Sequence, residues 1–216
     1  MIDEKDLPIM KRCVIIGGAP IGRYDRIRAL LGENDYYIYC DSGLKHREAL
    51  GKRPDLIIGD FDSWEQPDTD IETIVLPTVK DDTDTVYAVK TGIERGFEDF
   101  LLVGVVGGRL DHTMANVYSL VYLDEKGKNG VIADDFSLMR IVSRSQEKIA
   151  SDWRFFSLVN IDGSAHGVTI KDAKYELQDA EIACSYQYAV SNEPLPGKTA
   201  TVSLREGRLL LICDYE

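Results

Sequence analysis

The stretch Leu56-Ile57-Ile58-Gly59-Asp60-Phe61-Asp62-Ser63 runs an apolar strand straight into a pair of carboxylates. Short, continuously apolar runs are expected of strands in a parallel sheet covered on both faces. The carboxyl ends of such strands converge on one crevice, where ligands bind. In extended geometry alternate side chains share a face, so Asp60 and Asp62 point together while Phe61 turns toward the core. The pattern recurs: Lys80-Asp81-Asp82-Thr83-Asp84 follows the apolar run 74–79, and Gly107-Gly108-Arg109-Leu110-Asp111-His112 follows 101–106. Carboxylates gathered in one crevice repel each other unless a cation sits among them. A hard, oxygen-binding ion such as Mg2+ meets that need and commonly brings a phosphate with it. The first reading is a Mg2+–nucleotide phosphoryl-transfer enzyme.

Working outward, Cys13-Val14-Ile15-Ile16 is a buried strand closed by the turn Gly17-Gly18-Ala19-Pro20, and residues 36–40 form a second strand ending at Asp41-Ser42-Gly43. Helical spacing marks 25–31, 44–50, 84–96 and 111–123, and further strands are expected at 71–76 and 101–106. In the third of these helices Val86, Val89, Lys90 and Ile93 share about one face. This alternation is that of an α/β domain. Beyond Lys126-Gly127-Lys128-Asn129-Gly130 short strand-like pieces take over, at 130–133, 137–142, 155–159, 167–171, 181–184, 199–204 and 209–213, with Glu206-Gly207 as a hairpin turn between the last two. The expected fold is α/β: an N-terminal, mostly parallel sheet flanked by helices (1–127), followed by a small all-β sandwich (128–216).

The formal net charge of −12 argues against a nucleic-acid binder, which needs a basic face for phosphates. Cys13, Cys40, Cys184 and Cys213 lack zinc spacing, and buried free thiols explain the two in apolar runs. The charged start Met1-Ile2-Asp3-Glu4-Lys5-Asp6 is unlike a signal peptide, and no apolar stretch is long enough to cross a bilayer. A cytoplasmic protein with no membrane partner is expected.

Each motif also has a plainer reading. Asp60 and Asp62 can be a solvated loop, Thr83 a helix cap, and His112 a helix-surface histidine. Gly17-Gly18 follows a strand as a phosphate loop does, but without Walker or dinucleotide spacing. Gly107-Gly108 permits close backbone approach to a ligand, Arg109 offers a planar fork for phosphate, and Asp111, His112 and Asn116 follow on the next helical turns.

Together, Asp41-Ser42-Gly43, Pro54-Asp55-Leu56-Ile57-Ile58-Gly59-Asp60-Phe61-Asp62-Ser63, Lys80-Asp81-Asp82-Thr83-Asp84-Thr85 and Gly107-Gly108-Arg109-Leu110-Asp111-His112, with a weaker Ser191-Asn192-Glu193, resemble the thiamine pyrophosphokinase family in order and spacing along nearly the whole chain. The resemblance implies an α/β catalytic domain joined to a β-sandwich that helps bind thiamine, in a homodimer. It implies transfer of the pyrophosphoryl group of ATP to the hydroxyethyl oxygen of thiamine, leaving AMP. It implies Mg2+ held by Asp60, Asp62 and Asp84, with Asp41, Lys80, Asp81, Thr83, Arg109, His112 and Asn116 on the nucleotide. Asp60, Asp62, Asp84, Arg109 and Asp111 would carry catalysis, the proton acceptor being Asp84 or Asp111. Asp111, Tyr175, Ser191 and Asn192 would meet thiamine, the last two across the dimer interface. Tyr175 would stack on the substrate ring or sit in the core. Two positions depart from the family pattern: Ser42 stands where many relatives carry glycine, and Val86 where many carry glutamate.

Two other readings share parts of this pattern. A pyrophosphokinase for another alcohol, such as a hydroxymethylpterin, would share the acidic crevice, although cationic thiamine suits an acidic site better. A non-catalytic nucleotide or thiamine sensor would bind without turnover.

Overall fold

The protein's structure is a computed structural model that describes residues 12–61, 68–79 and 81–215. The chain divides into two compact units, the first ending at Gly130 and the second beginning at Val131.

The first unit runs β1 (Cys13–Ile16), α1 (Tyr24–Leu30), β2 (Tyr36–Cys40), a 3-10 helix (Asp41–His46) continuing into α2 (Arg47–Leu50), β3 (Leu56–Gly59), β4 (Glu72–Val75), α3 (Asp84–Glu94), β5 (Asp99–Val103) and α4 (Leu110–Glu125). Its strands lie in the order β4-β3-β2-β1-β5, and neighbours are parallel. Every residue of β1 and β3 is buried, which is why these strands read as unbroken apolar runs. From β1 the chain builds outward through β2, β3 and β4, then returns to place β5 on the other side of β1. That reversal makes a switch point at the carboxyl ends of β1 and β5, where an open α/β sheet leaves a crevice.

Three local expectations shift. The strand expected at 101–106 starts at Asp99 and stops at Val103, because Gly104 takes a φ of 62° and turns the chain. The helix expected from residue 44 begins as the 3-10 turn at Asp41. In α3 the buried residues are Ala88, Val89, Thr91 and Gly92, not a Val86–Ile93 face, so mostly small side chains face inward.

The strand β6 (Asn129–Ala133) carries the chain into the second unit. There follow β7 (Ser137–Val142), β8 (Glu147–Ile149), β9 (Phe155–Val159), β10 (Ser164–Lys171), β11 (Leu177–Ala183), β12 (Ala200–Ser203) and β13 (Leu209–Asp214). One antiparallel layer has β7 between β6 and β13, with β9 beyond. The other has the order β11-β10-β12-β8. Phe156, Leu158, Leu209 and Leu211 from the first layer share a core with Ile170, Ile182, Val202 and Ile149 from the second. This is sandwich packing, with alternate residues turned inward. The short β8 was not anticipated from sequence.

Glu206-Gly207 is not a hairpin turn. The strands it joins, β12 and β13, belong to different layers, so the chain crosses between sheets there. Glu206 O accepts a hydrogen bond from His166 N at 2.9 Å, and Gly207, at φ 89°, passes so close to β10 that a Cβ would lie 2.5 Å from Ser164 O. Gly207 therefore serves a close backbone crossing, which in sequence looks the same as a turn.

Candidate active site

Three carboxylates meet at the carboxyl ends of neighbouring strands. Asp41 follows β2, Asp60 follows β3, and Asp84 opens α3 after β4. One carboxylate oxygen from each lies within 4.8 Å of the other two, which at an effective dielectric near 20 corresponds to a repulsion of at least about 3.5 kcal/mol per ionised pair. Asp41 is only 6% exposed and Asp60 and Asp84 are partly buried, so solvent does little to screen the group. The donors are all oxygen, the set preferred by Mg2+ and Ca2+ and poorly suited to soft metals. Asp41 also holds a φ of 36°, a conformation that Asp and Asn accept more readily than other side chains. Such strain concentrates at functional sites.

The sequence placed Asp41 beside the nucleotide, and the structure brings it directly into the carboxylate group. Phe61 is partly buried at a φ of 55°, so the extended geometry assumed in pairing Asp60 with Asp62 breaks at Phe61. Asp62 and Lys80 lie outside the described residues.

The run around Asp84 separates into different tasks. Asp82 is engaged by Lys90, whose Nζ lies 2.6 Å from Oδ2 and 2.9 Å from Oδ1. Thr83 Oγ1 accepts a hydrogen bond from Val86 N at 3.3 Å, capping α3, and it also lines the cleft. Asp81 is exposed and lines neither part of the cleft.

The cleft has two adjoining parts that share Gly17, Gly18, Ser42, Thr85, Arg109 and His112. The acidic part, about 300 Å³, adds Cys40, Asp41, Asp60, Thr83 and Asp84. The other part, about 370 Å³, lies at the β1/β5 switch point and adds Ala19, Pro20, Gly104, Val105, Gly107, Gly108 and Asn116. Its floor is backbone on backbone: a Cβ at Gly17 would lie 2.6 Å from Gly104 O, and one at Gly104 would lie 2.5 Å from Gly17 O. Only paired glycines allow that approach. Asn116 is buried and donates from Nδ2 to Val105 O at 2.8 Å, bracing the loop after β5.

Arg109 reaches both parts of the cleft while forked onto Asp111. Hydrogen bonding to Arg109 and to His112 N holds the Asp111 carboxyl down at about 2. Asp111 itself is exposed and lines neither part. The Cys40 thiol, also in the lining, is pushed well above its ordinary value by burial and by the nearby carboxylates, so it is a packing group rather than a nucleophile.

A separate pocket of about 400 Å³ lies within the second unit, lined by Ile170, Tyr175, Leu177, Tyr188, Ala189, Val190, Ser191 and Asn192. It gathers all three β-domain residues singled out from sequence. Tyr175 is 60% exposed, so the core alternative falls. Asn192 is buried and its amide is spent on backbone: Oδ1 accepts from Tyr175 N at 3.0 Å and Glu193 N at 2.9 Å, and Nδ2 donates to Tyr175 O at 2.7 Å. It therefore holds Tyr175 at the pocket. Ser191 stands at φ 58°, with its N–H donating to Ser157 Oγ at 3.0 Å.

Several contributors were passed over in sequence. Thr113 Oγ1 accepts from Gly107 N at 3.0 Å and donates to Arg109 O at 3.1 Å, fixing the glycine loop. Ser42, singled out from sequence as a departure from the family pattern, has its Oγ in the space over Gly18, 2.0 Å from where a Cβ there would stand. Tyr188 stacks obliquely against Tyr186, with centroids 5.4 Å apart. The position of Gly17-Gly18 directly after a buried strand was the available signal for the switch point.

Two family models match the chain: thiamin pyrophosphokinase, catalytic domain, over residues 27–132, and thiamin pyrophosphokinase, vitamin B1 binding domain, over residues 141–209. The thiamine pyrophosphokinase of Bacillus subtilis (strain 168) is 26% identical over 212 residues, spanning 94% of this chain and 98% of that protein. Thiamin pyrophosphokinase 1 of Caenorhabditis elegans is 24% identical over 195 residues, spanning 84% and 80%. The crystal structure of the Bacillus subtilis thiamine pyrophosphokinase has a similar fold at a TM-score of 0.84 and 22% identity, covering 95% of this chain and all of that one. That of the Geobacillus thermodenitrificans thiamin pyrophosphokinase gives 0.81 at 25% identity, covering 95% and 98%.

Proposed function

The chain belongs to the thiamin pyrophosphokinase family, and from that premise we propose that its cleft moves the terminal pyrophosphoryl group of ATP onto the hydroxyethyl oxygen of thiamine. The observation that carries the site reading is the meeting of Asp41, Asp60 and Asp84 beside the glycine-floored switch point.

The hydroxyl oxygen of thiamine bonds to the β-phosphorus, the bond from that phosphorus to the α-phosphate bridging oxygen breaks, and AMP leaves with that bond's electron pair. The hydroxyl proton passes to a carboxylate of the cleft. Asp111 lies outside the cleft lining and is engaged by Arg109, whereas Asp84 lines the cleft, which favours Asp84. Little covalent chemistry falls to the protein in such transfers, so positioning and charge stabilisation carry the rate. Arg109, oriented by Asp111, offers its remaining guanidinium N–H groups to phosphate oxygens, and the glycine loop supplies close backbone approach.

Asp41, Asp60 and Asp84, with Asp62, are the residues to hold Mg2+, and their all-oxygen donor set fits that ion. Bound there, the metal would neutralise phosphate charge. Lys80, Asp81, Thr83, His112 and Asn116 are assigned to the nucleotide side. Tyr175, Ser191 and Asn192 are assigned to the thiamine side, Tyr175 by stacking and Asn192 by holding it. Catalysis is assigned to residues 1–127 and thiamine binding to 128–216.

A homodimer and a cytoplasmic location belong to the same proposal and rest on the family. Among the described residues no helix is long and apolar enough to cross a membrane.

The test is an incubation of the protein with thiamine, ATP and Mg2+, read by product mass. Thiamine diphosphate and AMP in equal amounts are expected. ATP binding without AMP formation would overturn the enzymatic reading.

A further inference from the structure

His46 is 2% exposed and lines neither part of the cleft, yet it is bonded to the loop that forms one wall of both. Its Nε2 lies 2.9 Å from Ala19 O and its Nδ1 lies 2.7 Å from Tyr24 Oη. A carbonyl oxygen only accepts, so Nε2 carries the proton. In the neutral ring Nδ1 is then the acceptor, and the Tyr24 hydroxyl donates to it. Lys45, the preceding residue, donates from Nζ to Gly18 O. Two consecutive carbonyls of the Gly17–Pro20 loop are thus bonded to two consecutive side chains outside the cleft lining.

The other side of the loop is tied to β5 and its end: Gly17 N donates to Val103 O at 2.9 Å and Ala19 N to Gly104 O at 2.7 Å. Lys45 and His46 close the 3-10 helix that opens with Asp41, so one short element carries both a carboxylate of the acidic group and the clamp on the facing loop. A carbonyl oxygen turned toward a polyphosphate would repel it. Fixing both carbonyls elsewhere keeps that wall of the cleft suited to an anion.

We propose that His46 is a positioning residue for the nucleotide: with Lys45 it anchors the Gly18 and Ala19 carbonyls away from the polyphosphate. This role rests on the reading of the cleft as an ATP site. Burial lowers the His46 pKa, in keeping with a neutral ring.

The full chain is compared with His46→Ala and His46→Gln in steady-state kinetics with ATP and thiamine varied separately. His46→Ala should raise the KM for ATP about tenfold, the effect of losing one or two buried hydrogen bonds, with the KM for thiamine nearly unchanged. His46→Gln, whose amide can still donate to Ala19 O, should recover most of the loss. Imidazole 15N spectra of the wild-type protein should show the neutral Nε2–H tautomer near neutral pH, and this readout survives even if His46→Ala fails to fold. Equal rises in both KM values, no recovery by Gln, an unchanged KM for ATP in a folded Ala variant, or a charged or Nδ1–H ring would each overturn the role. A wild-type protein that makes no AMP would overturn the ATP reading and this role with it, whereas an active wild type with indifferent His46 variants overturns this role alone.

Discussion

Arg109 is forked onto Asp111 two residues further along, with Nη2 2.5 Å from Oδ2 and Nε 3.2 Å from Oδ1. The pair is solvent-exposed, so it contributes little to stability; its consequence is the direction in which the guanidinium points. Asp111→Asn should leave Tm nearly unchanged and lower kcat about tenfold through a less constrained Arg109. The depressed folded pKa means that Asp111 is charged above its ordinary value of 3.8 and loses the interaction only as pH falls toward about 2. The profiles of kcat/KM against pH for wild type and Asp111→Asn should therefore run parallel above about pH 5. An acid limb near neutrality that disappears in the variant would return Asp111 to the role of general base.

The three clustered carboxylates predict a split between activity and stability. Asp84→Asn should cut pyrophosphoryl transfer by a factor of about 100 or more, while thermal unfolding shows no loss of stability, because one repulsive partner is gone. Asp41→Asn should behave likewise. Asp41→Ala should in addition destabilise the fold, because the φ of 36° disfavours alanine. Full activity in Asp84→Asn would remove the metal-site argument.

Chelation offers an independent view of the same group. If Asp41, Asp60 and Asp84 hold a divalent ion, millimolar Mg2+ should raise Tm in wild type, and EDTA should reverse the rise. The shift should vanish in Asp84→Asn. An equal shift in both proteins would place the ion elsewhere.

The cap on α3 can be separated from chemistry. Thr83→Ala should lose about 1 kcal/mol in denaturant titration, and Thr83→Ser should recover it, since the hydroxyl is what accepts from Val86 N. If Thr83 also touches the nucleotide, Thr83→Ala raises the KM for ATP beyond what the modest loss of stability explains.

Asn192 and Tyr175 form the corresponding pair in the second unit. Asn192→Ala removes three hydrogen bonds to buried or partly buried backbone, at a cost of about 2 kcal/mol, and should release the Tyr175 loop. The KM for thiamine should rise and that for ATP should not. Tyr175→Phe should keep most of the affinity, because stacking needs the ring and not the hydroxyl. A thiamine KM indifferent to both changes would move the vitamin pocket away from Tyr175.

Much of the fold was legible in the chain because local chemistry dictated it. The apolar runs at β1, β2 and β3 had no reading other than buried strands, and the acids after β2, β3 and β4 could be placed at strand ends before any coordinates. Thr83, Asp84 and Asp111 sit at helix starts because short polar side chains favour those positions. What the linear order hid was partnership. Asp82 and Asp84 are neighbours in an acidic run, yet one is neutralised by Lys90 and the other joins Asp41 and Asp60. Glu206-Gly207 looks like a hairpin, but its strands lie in opposite layers.

The sequence alone thus determined most of the strands, the helix starts and the carboxylate supply, since these depend on side chains a few residues apart. Tertiary structure decided which carboxylates share a space, which glycines touch backbone to backbone, and which polar groups are spent on holding loops. Those outcomes depend on where strands β1 to β5 fall in the sheet and on where each side chain meets distant backbone, and no short window of sequence encodes either.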